Sequence, residues 1–161
     1  MKKFVAVIGP AKSGKSTIIQ SLTGCKTKSF NGFVQDHSTH NRVYVIASSL
    51  QESGMKKNKF LNILRRVERD ADCSGIVAAV QLSEPWKRMS MKETFDIINK
   101  FGSFRIILYV LNQTYDNKKN IFKTMFRGRY NSKREPKLLN AKRFSFFNAK
   151  IIQRTSKILR R

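Results

Sequence analysis

The sequence has few of the residues that mark secreted or metal-binding proteins. Its 161 residues include two cysteines and two histidines. Cys25 and Cys73 lack the C-x-x-C spacing of a zinc site, and we expect ordinary small residues rather than a disulfide. His37 and His40 fall in a polar turn without a cysteine or acidic cluster, which favours loop histidines over metal ligands. A disulfide framework and a structural zinc site are therefore not expected.

Long apolar runs are also absent. No stretch of about 18 apolar residues occurs, so the sequence predicts no transmembrane helix. The chain passes from Met1 directly into a strand-like run without a signal-peptide pattern, and we expect a cytoplasmic protein. The hydrophobic fraction of 40% argues against global disorder, and the length suits a single domain with a substantial core.

Acidic residues are scarce, with ten Asp and Glu against 33 Lys and Arg and a formal net charge of +23. Residues 118–161 alone contain 15 bases and one acid. This basic tail predicts a polyanionic partner, with nucleic acid as the leading candidate and an anionic membrane or acidic protein as alternatives. The tail also contains six aromatic residues that are able to stack on bases, although we expect most of them in the core: Phe122, Phe126, Tyr130, Phe144, Phe146 and Phe147.

One short motif carries most of the chemistry that the sequence predicts. Residues 9–16, Gly-Pro-Ala-Lys-Ser-Gly-Lys-Ser, fit the phosphate-binding P-loop pattern G-x-x-x-x-G-K-[ST]. The apolar run 4–8 before it is typical of a buried strand, and residues 17–22 after it have helical spacing. Glycines let the backbone approach phosphate oxygens. We expect Lys15 to reach the β- and γ-phosphates and the Ser16 hydroxyl to coordinate Mg²⁺. The predicted nucleotide-binding residues are Gly9, Pro10, Ala11, Lys12, Ser13, Gly14, Lys15, Ser16 and Thr17.

The other apolar patterns alternate between strand and helix. Residues 30–35 and 42–47 flank a polar turn and predict a hairpin. Buried strands are predicted at 75–80 and 104–111, and helices at 60–72, 91–101, 118–126 and 149–159, with a basic loop at 128–136. The order predicts an α/β fold: a P-loop three-layer α/β/α sandwich with a mostly parallel sheet and a basic helical C-terminal extension. We place the nucleotide-binding domain at 1–117 and the extension, packed on the same domain, at 118–161.

These features resemble the P-loop NTPases, and within them the small GTPases of Ras-like topology. The resemblance lies in the G-K-S-T motif with Leu22-Thr23-Gly24 after it, in the hairpin, and in residues 48–54 and 112–116. It covers about residues 1–116 and implies binding of GTP or ATP with Mg²⁺. It also implies that Lys15 stabilises the transferred phosphate, that Gln51 places the attacking water, and that Asn112 and Asp116 recognise the base.

The later motifs depart from that family pattern. When Gln51 is aligned with the family's Gln, Ala47 stands where the family has a metal-associated Asp. Gln113 replaces the family's Lys and Asp116 comes one residue late, which leaves the choice between GTP and ATP open. No buried strand ends in an acid, so hydrolysis and binding without hydrolysis are both open. The nearby acids are Asp36, Glu52 and Glu84.

Three functions are consistent with these residues. The first is a nucleoside triphosphate-binding, GTPase-like protein whose basic surface engages nucleic acid or a nucleic-acid–protein assembly. The second is a nucleotide or nucleoside kinase in which the Arg-rich stretch 127–134 acts as a lid over phosphates. The third is a non-catalytic binding module on a degenerate P-loop fold. The intact motif at residues 14–16 argues against complete loss of phosphate binding in the third, and the lack of a clear acid after the second strand argues against the second.

Overall fold

The structure is a computed structural model of the chain, and it describes residues 1–35, 40–82, 89–112, 137–140 and 145–159. The helix predicted at 118–126 and the basic loop at 128–136 lie outside these residues. So do the predicted base-recognition residue Asp116 and two of the three nearby acids, Asp36 and Glu84.

Strands and helices alternate along the described chain. The strands are β1 (Lys2–Gly9), β2 (Asn31–Gln35), β3 (Arg42–Ser49), β4 (Cys73–Gln81), β5 (Phe104–Asn112) and β6 (Lys137–Asn140). The helices are α1 (Lys15–Thr23), α2 (Lys57–Arg69), α3 (Met91–Phe101) and α4 (Ser145–Ser156).

All six of these strands form one sheet in the order β2-β3-β4-β1-β5-β6. β1 runs parallel to β4 and β5, β3 runs parallel to β4, and β5 runs parallel to β6. β2 runs antiparallel to β3, as the predicted hairpin requires. The α/β class and the mostly parallel sheet are thus confirmed. Because parallel strands end at a common edge, the residues that come after β1, β3, β4 and β5 lie along one side of the sheet.

The sheet is covered on both faces. Alternate residues of β1 point in opposite directions, with Phe4 and Ile8 on one face and Val5 and Val7 on the other. The first face packs against α2 and α3, and the second packs against α1 and α4. Because both faces of these strands are buried, the sequences of β1, β4 and β5 are continuous apolar runs and do not alternate between apolar and polar residues.

Helix α3 has the bounds that the sequence predicts because its local sequence specifies both ends. The Ser90 hydroxyl accepts a hydrogen bond from Glu93 N–H at 3.1 Å, and the Glu93 carboxylate accepts one from Ser90 N–H at 2.9 Å. This reciprocal capping box satisfies two backbone donors at the helix start. Gly102, in the left-handed conformation at φ +76°, ends the helix.

The C-terminal part of the chain differs from the predictions. Residues 137–140 form the strand β6, which pairs with β5. The sequence does not predict this strand, because its four residues depend on pairing with a strand that is distant in the chain. The predicted helix at 149–159 is instead α4 at 145–156. Ile158 and Leu159 are buried beyond its end, so their apolar character reflects core packing and not a continuing helix.

Residues 137–159 contribute to the same core cluster as α1. Leu139, Ala149 and Ile152 are at most 4% exposed within that cluster. The Tyr109 hydroxyl of β5 lies 2.5 Å from Thr155 Oγ1 of α4, which joins the helix to the sheet through a polar contact. Part of the basic tail therefore belongs to the body of the α/β sandwich.

Gly75 is the position where the sheet requires glycine most strictly. Its φ is +148°, and a Cβ there would lie 2.0 Å from the Lys3 carbonyl oxygen on the adjoining β1.

We expect Gly75→Ala to lower the free energy of unfolding by at least about 2 kcal/mol, since the backbone of β1 or β4 must move to make room for the added Cβ. Gly102→Ala is the control, because φ is +76° but no atom lies within 4 Å of the added Cβ. Equal losses in urea unfolding of the two variants would contradict the steric account.

Candidate functional site

The loop between β1 and α1 folds tightly on itself. Lys12 and Gly14 both have left-handed backbones, with φ of +56° and +86°. A Cβ on Gly9 would lie 2.6 Å from Ser13 Oγ and 3.2 Å from Leu111 Cβ. Glycine at position 9 therefore permits the loop to return across the end of β1, and Gly14 permits the turn into the helix.

The first turn of α1 presents backbone donors at the end of this loop. The first helical hydrogen bond runs from Ile18 N–H to the Gly14 carbonyl at 3.0 Å, so the N–H groups of Lys15, Ser16 and Thr17 precede it. Gly14, the N-cap, supplies no side-chain cap, and the first turn contains no acid. The positive end of the helix dipole is thus not neutralised by a side chain of its own helix.

Lys15 lies folded into the loop rather than in solvent. Its side chain is 4% exposed, and its Nζ donates a hydrogen bond to the Pro10 carbonyl at 2.5 Å. Burial lowers the pKa of Lys15 from its ordinary value of 10.5, and the charge of Glu52 partly opposes that shift. A buried ammonium held by one carbonyl is a strong local source of positive charge.

The Ser13 hydroxyl is a second polar group buried in the loop. Ser13 is 7% exposed, and its Oγ has no hydrogen-bond partner among the described residues. A buried hydroxyl without a partner carries a desolvation cost, which an additional acceptor or donor at the loop would relieve. Ser16 and Thr17, which come after Lys15, are half-buried.

The ends of β3 and β4 support the loop from one side. Gln81, the last residue of β4, pairs with Gly9 in the sheet, and the next residue, Leu82, donates its N–H to the Gly9 carbonyl at 3.3 Å. Ser49 Oγ, at the end of β3, lies 3.4 Å from Gln81 Oε1. The register between β3 and β4 shifts between Ile46 and Ser49, which brings Ser49 opposite Ala79.

Gln51 belongs to this supporting cluster. Its side chain is completely buried, and its Oε1 accepts a hydrogen bond from Gln81 N–H at 2.9 Å. The carbonyl oxygen is therefore engaged by backbone of β4 in this conformation. The water-placing role predicted for Gln51 stays a prediction, and the geometry assigns the side chain a structural contact that sequence reasoning missed.

Other predicted site residues are distributed along the loop and the neighbouring strand end. Asn112 is the last residue of β5, which adjoins β1, while its predicted companion Asp116 is outside the described residues. Pro10 is half-buried, whereas Ala11 and Lys12 are exposed at the outer side of the loop. No group of three or more His, Cys, Asp or Glu that could hold a metal occurs in the described part of the chain.

Comparisons with known proteins leave the chain without an identified relative. No protein-family model, no curated protein and no solved structure matches it. Among the described helices, none has the length and apolar character needed to cross a membrane.

We expect the buried charge of Lys15 to make stability depend on pH. The pKa of Lys15 is lowered in the folded protein. In the pH range between that lowered pKa and 10.5, the unfolded chain therefore binds a proton on Lys15 that the folded protein does not. The cost of burying the ammonium is fully present below the lowered pKa and is relieved as pH rises through this window. The free energy of unfolding of the parent, relative to Lys15→Met, should therefore increase toward pH 10.5. Lys92→Met, at an exposed position on α3, is the control, and an identical pH profile for both variants would exclude the assignment.

Replacement of Gln51 tests its structural contact to β4. Gln51→Leu removes the acceptor of Gln81 N–H, and we expect a loss of about 1–3 kcal/mol in urea unfolding. Gln35→Leu, at an exposed position on the edge strand β2, is the matched control and should change stability little. Unchanged stability of Gln51→Leu would show that the contact to β4 is unimportant.

Proposed function

We propose that this protein binds the phosphates of a nucleoside triphosphate, together with Mg²⁺, at the loop between β1 and α1. The observation that carries the proposal is the burial of Lys15 inside that loop, at the start of α1, with its Nζ on the Pro10 carbonyl. A cation buried beside the backbone donors of a helix N-terminus is costly without an anion and favourable with one.

The residues of the loop fit a polyphosphate group. Backbone N–H groups at the first turn of α1 are suited to phosphate oxygens, and Lys15 exchanges the Pro10 carbonyl for a phosphate oxygen on binding. The Ser13 hydroxyl, which has no partner within the described residues, gains an acceptor from the same group. Gly9 and Gly14 permit the backbone conformation of the loop, because a Cβ on Gly9 would lie 2.6 Å from Ser13 Oγ and Gly14 has a φ of +86°.

Ser16 is the residue that fits Mg²⁺. Mg²⁺ in nucleotide sites keeps several waters and takes phosphate oxygens, so one hydroxyl from the protein is sufficient for it. The ion neutralises charge on the phosphates when bound. Among the described acids, Glu52 is the one whose charge acts on Lys15, and it comes after the strand end that supports the loop.

The pattern of contacts favours binding with slow hydrolysis over fast turnover. The GTPase resemblance implies that Gln51 places the attacking water. In this structure the side-chain carbonyl oxygen of Gln51 instead accepts a hydrogen bond from Gln81 N–H. The same observation favours a second candidate, a nucleotide-binding module without catalysis. The Arg-rich lid of the kinase alternative, residues 127–134, lies outside the described residues and gains no support from the geometry.

A thermal-shift titration with ATP and GTP, each with and without Mg²⁺, tests the proposal. A ligand at about 100 times its Kd stabilises the folded protein by about 2.7 kcal/mol, and we expect a Mg²⁺-dependent shift with one of the two. Lys15→Ala should abolish it, whereas Lys92→Ala, which removes an exposed lysine of α3, should retain it. An unchanged shift in Lys15→Ala, or no shift in the parent, would overturn the proposal.

The same samples separate the three functions. Phosphate release from the bound nucleotide without an acceptor indicates hydrolysis. Turnover that requires a nucleoside or nucleotide acceptor indicates a kinase. Binding with neither reaction indicates the non-catalytic module.

A further inference from the structure

Helix α2 has an outer face that is rich in basic residues. Its apolar side chains Phe60, Ile63, Leu64 and Val67 are buried against the sheet. The opposite face exposes four bases, which are Lys59, Arg65, Arg66 and Arg69, whereas Lys57 lies on the side of α3 and lines a pocket with Glu93 and Asp96. At about 1.5 Å per residue, this face is roughly 15 Å long.

The charge of this face is not neutralised by its surroundings. Glu68 is the one acid of α2, and its carboxylate accepts a hydrogen bond from the Ser103 hydroxyl beside α3. None of the four bases forms an ion pair within the described part of the chain. Bases crowded on one helix face repel one another, so an anionic ligand would stabilise the arrangement.

An aromatic ring on the sheet holds one of these bases in place. The Arg66 guanidinium lies 4.8 Å from the ring centroid of Phe33 on β2, and Arg42 lies 5.2 Å from the same centroid. Phe33 is fixed in turn by an edge contact with Tyr44, at 4.9 Å between centroids. Arg42 is engaged by Asp70 at 2.7 Å, whereas Arg66 is left to present its planar fork to solvent. Such a pre-oriented guanidinium suits bidentate contact with a phosphate.

We propose that the outer face of α2 binds the sugar–phosphate backbone of a nucleic acid. The length of the face matches several successive phosphates of one strand, since these are about 3.4 Å apart along a duplex. Exposed Asn58 and Asn62 between the bases add neutral donors that phosphate and sugar oxygens accept. The proposal does not depend on nucleotide binding at the β1–α1 loop.

The structure favours nucleic acid over an anionic membrane. A helix that lies on a membrane inserts its apolar side, but the apolar side of α2 is already used in the core. The proposed surface also differs from the basic tail that the sequence indicates as the polyanion site. Helix α4 of that tail packs on the other face of the sheet from α2.

Binding by this face should depend steeply on salt and little on base sequence. If each of the four bases contacts one phosphate of a duplex, the logarithm of the affinity falls with the logarithm of salt concentration with a slope of about −3 to −4. Each base that is removed should reduce the steepness by about 1 and weaken binding to all sequences alike.

Two matched double variants test the location. Arg65→Glu/Arg69→Glu reverses two exposed bases four residues apart near the end of α2. Lys150→Glu/Arg154→Glu makes the same change in charge, with the same spacing, near the end of α4. Fluorescence anisotropy of a labelled DNA duplex and an RNA strand is measured across a salt series. Thermal unfolding and nucleotide shifts are recorded on the same proteins to verify folding, and Arg65→Gln/Arg69→Gln removes the charge without reversing it.

We expect the α2 variant to lose on the order of tenfold or more in affinity, with a salt slope shallower by about 2, relative to the α4 variant. The glutamine variant should show the same change in slope. Equal losses in the α2 and α4 variants, or a larger loss in the α4 variant, would overturn the proposal. Binding of the parent to phosphatidylserine vesicles or polyglutamate but to neither nucleic acid would overturn it as well.

Discussion

The burial of β1 on both faces and along both edges is the constraint on which the rest of the structure depends. Its neighbours β4 and β5 satisfy its backbone hydrogen bonds, and helices on either side remove its side chains from water. After a central strand of this kind the chain must leave the sheet, and it does so at Gly9, the last residue of β1. The conformation of the next loop, and hence the burial of Lys15, is a consequence of that exit.

The candidate site combines features that are unfavourable for stability alone. Lys15 loses water and retains one carbonyl partner, and Ser13 buries a hydroxyl without a partner among the described residues. Both costs would diminish on entry of an anion into the loop, because the anion would satisfy these polar groups better than the loop does by itself. The contacts among Ser49, Gln51 and Gln81 hold the neighbouring strand ends and give this loop a fixed base.

The large positive charge has different consequences in different places. The β1–α1 loop buries the single cation of Lys15, whereas the outer face of α2 exposes four bases. The sequence placed the excess of charge in the tail, because a count along the chain shows only where bases are frequent. The fold shows which bases share a face, and that arrangement, more than the count, determines what a polyanion meets.

The sequence by itself determined the α/β class, the hairpin, the bounds of α3 and the motif at residues 9–16, because each depends on local periodicity, capping or turn residues. Tertiary structure alone decided the position of β4 between β1 and β3, the strand β6, the start of α4 and the burial of Gln51. These features rest on hydrogen bonds and packing between residues distant in the chain. Gln51, for example, is placed by the N–H of Gln81, and no local pattern around residue 51 encodes that partner.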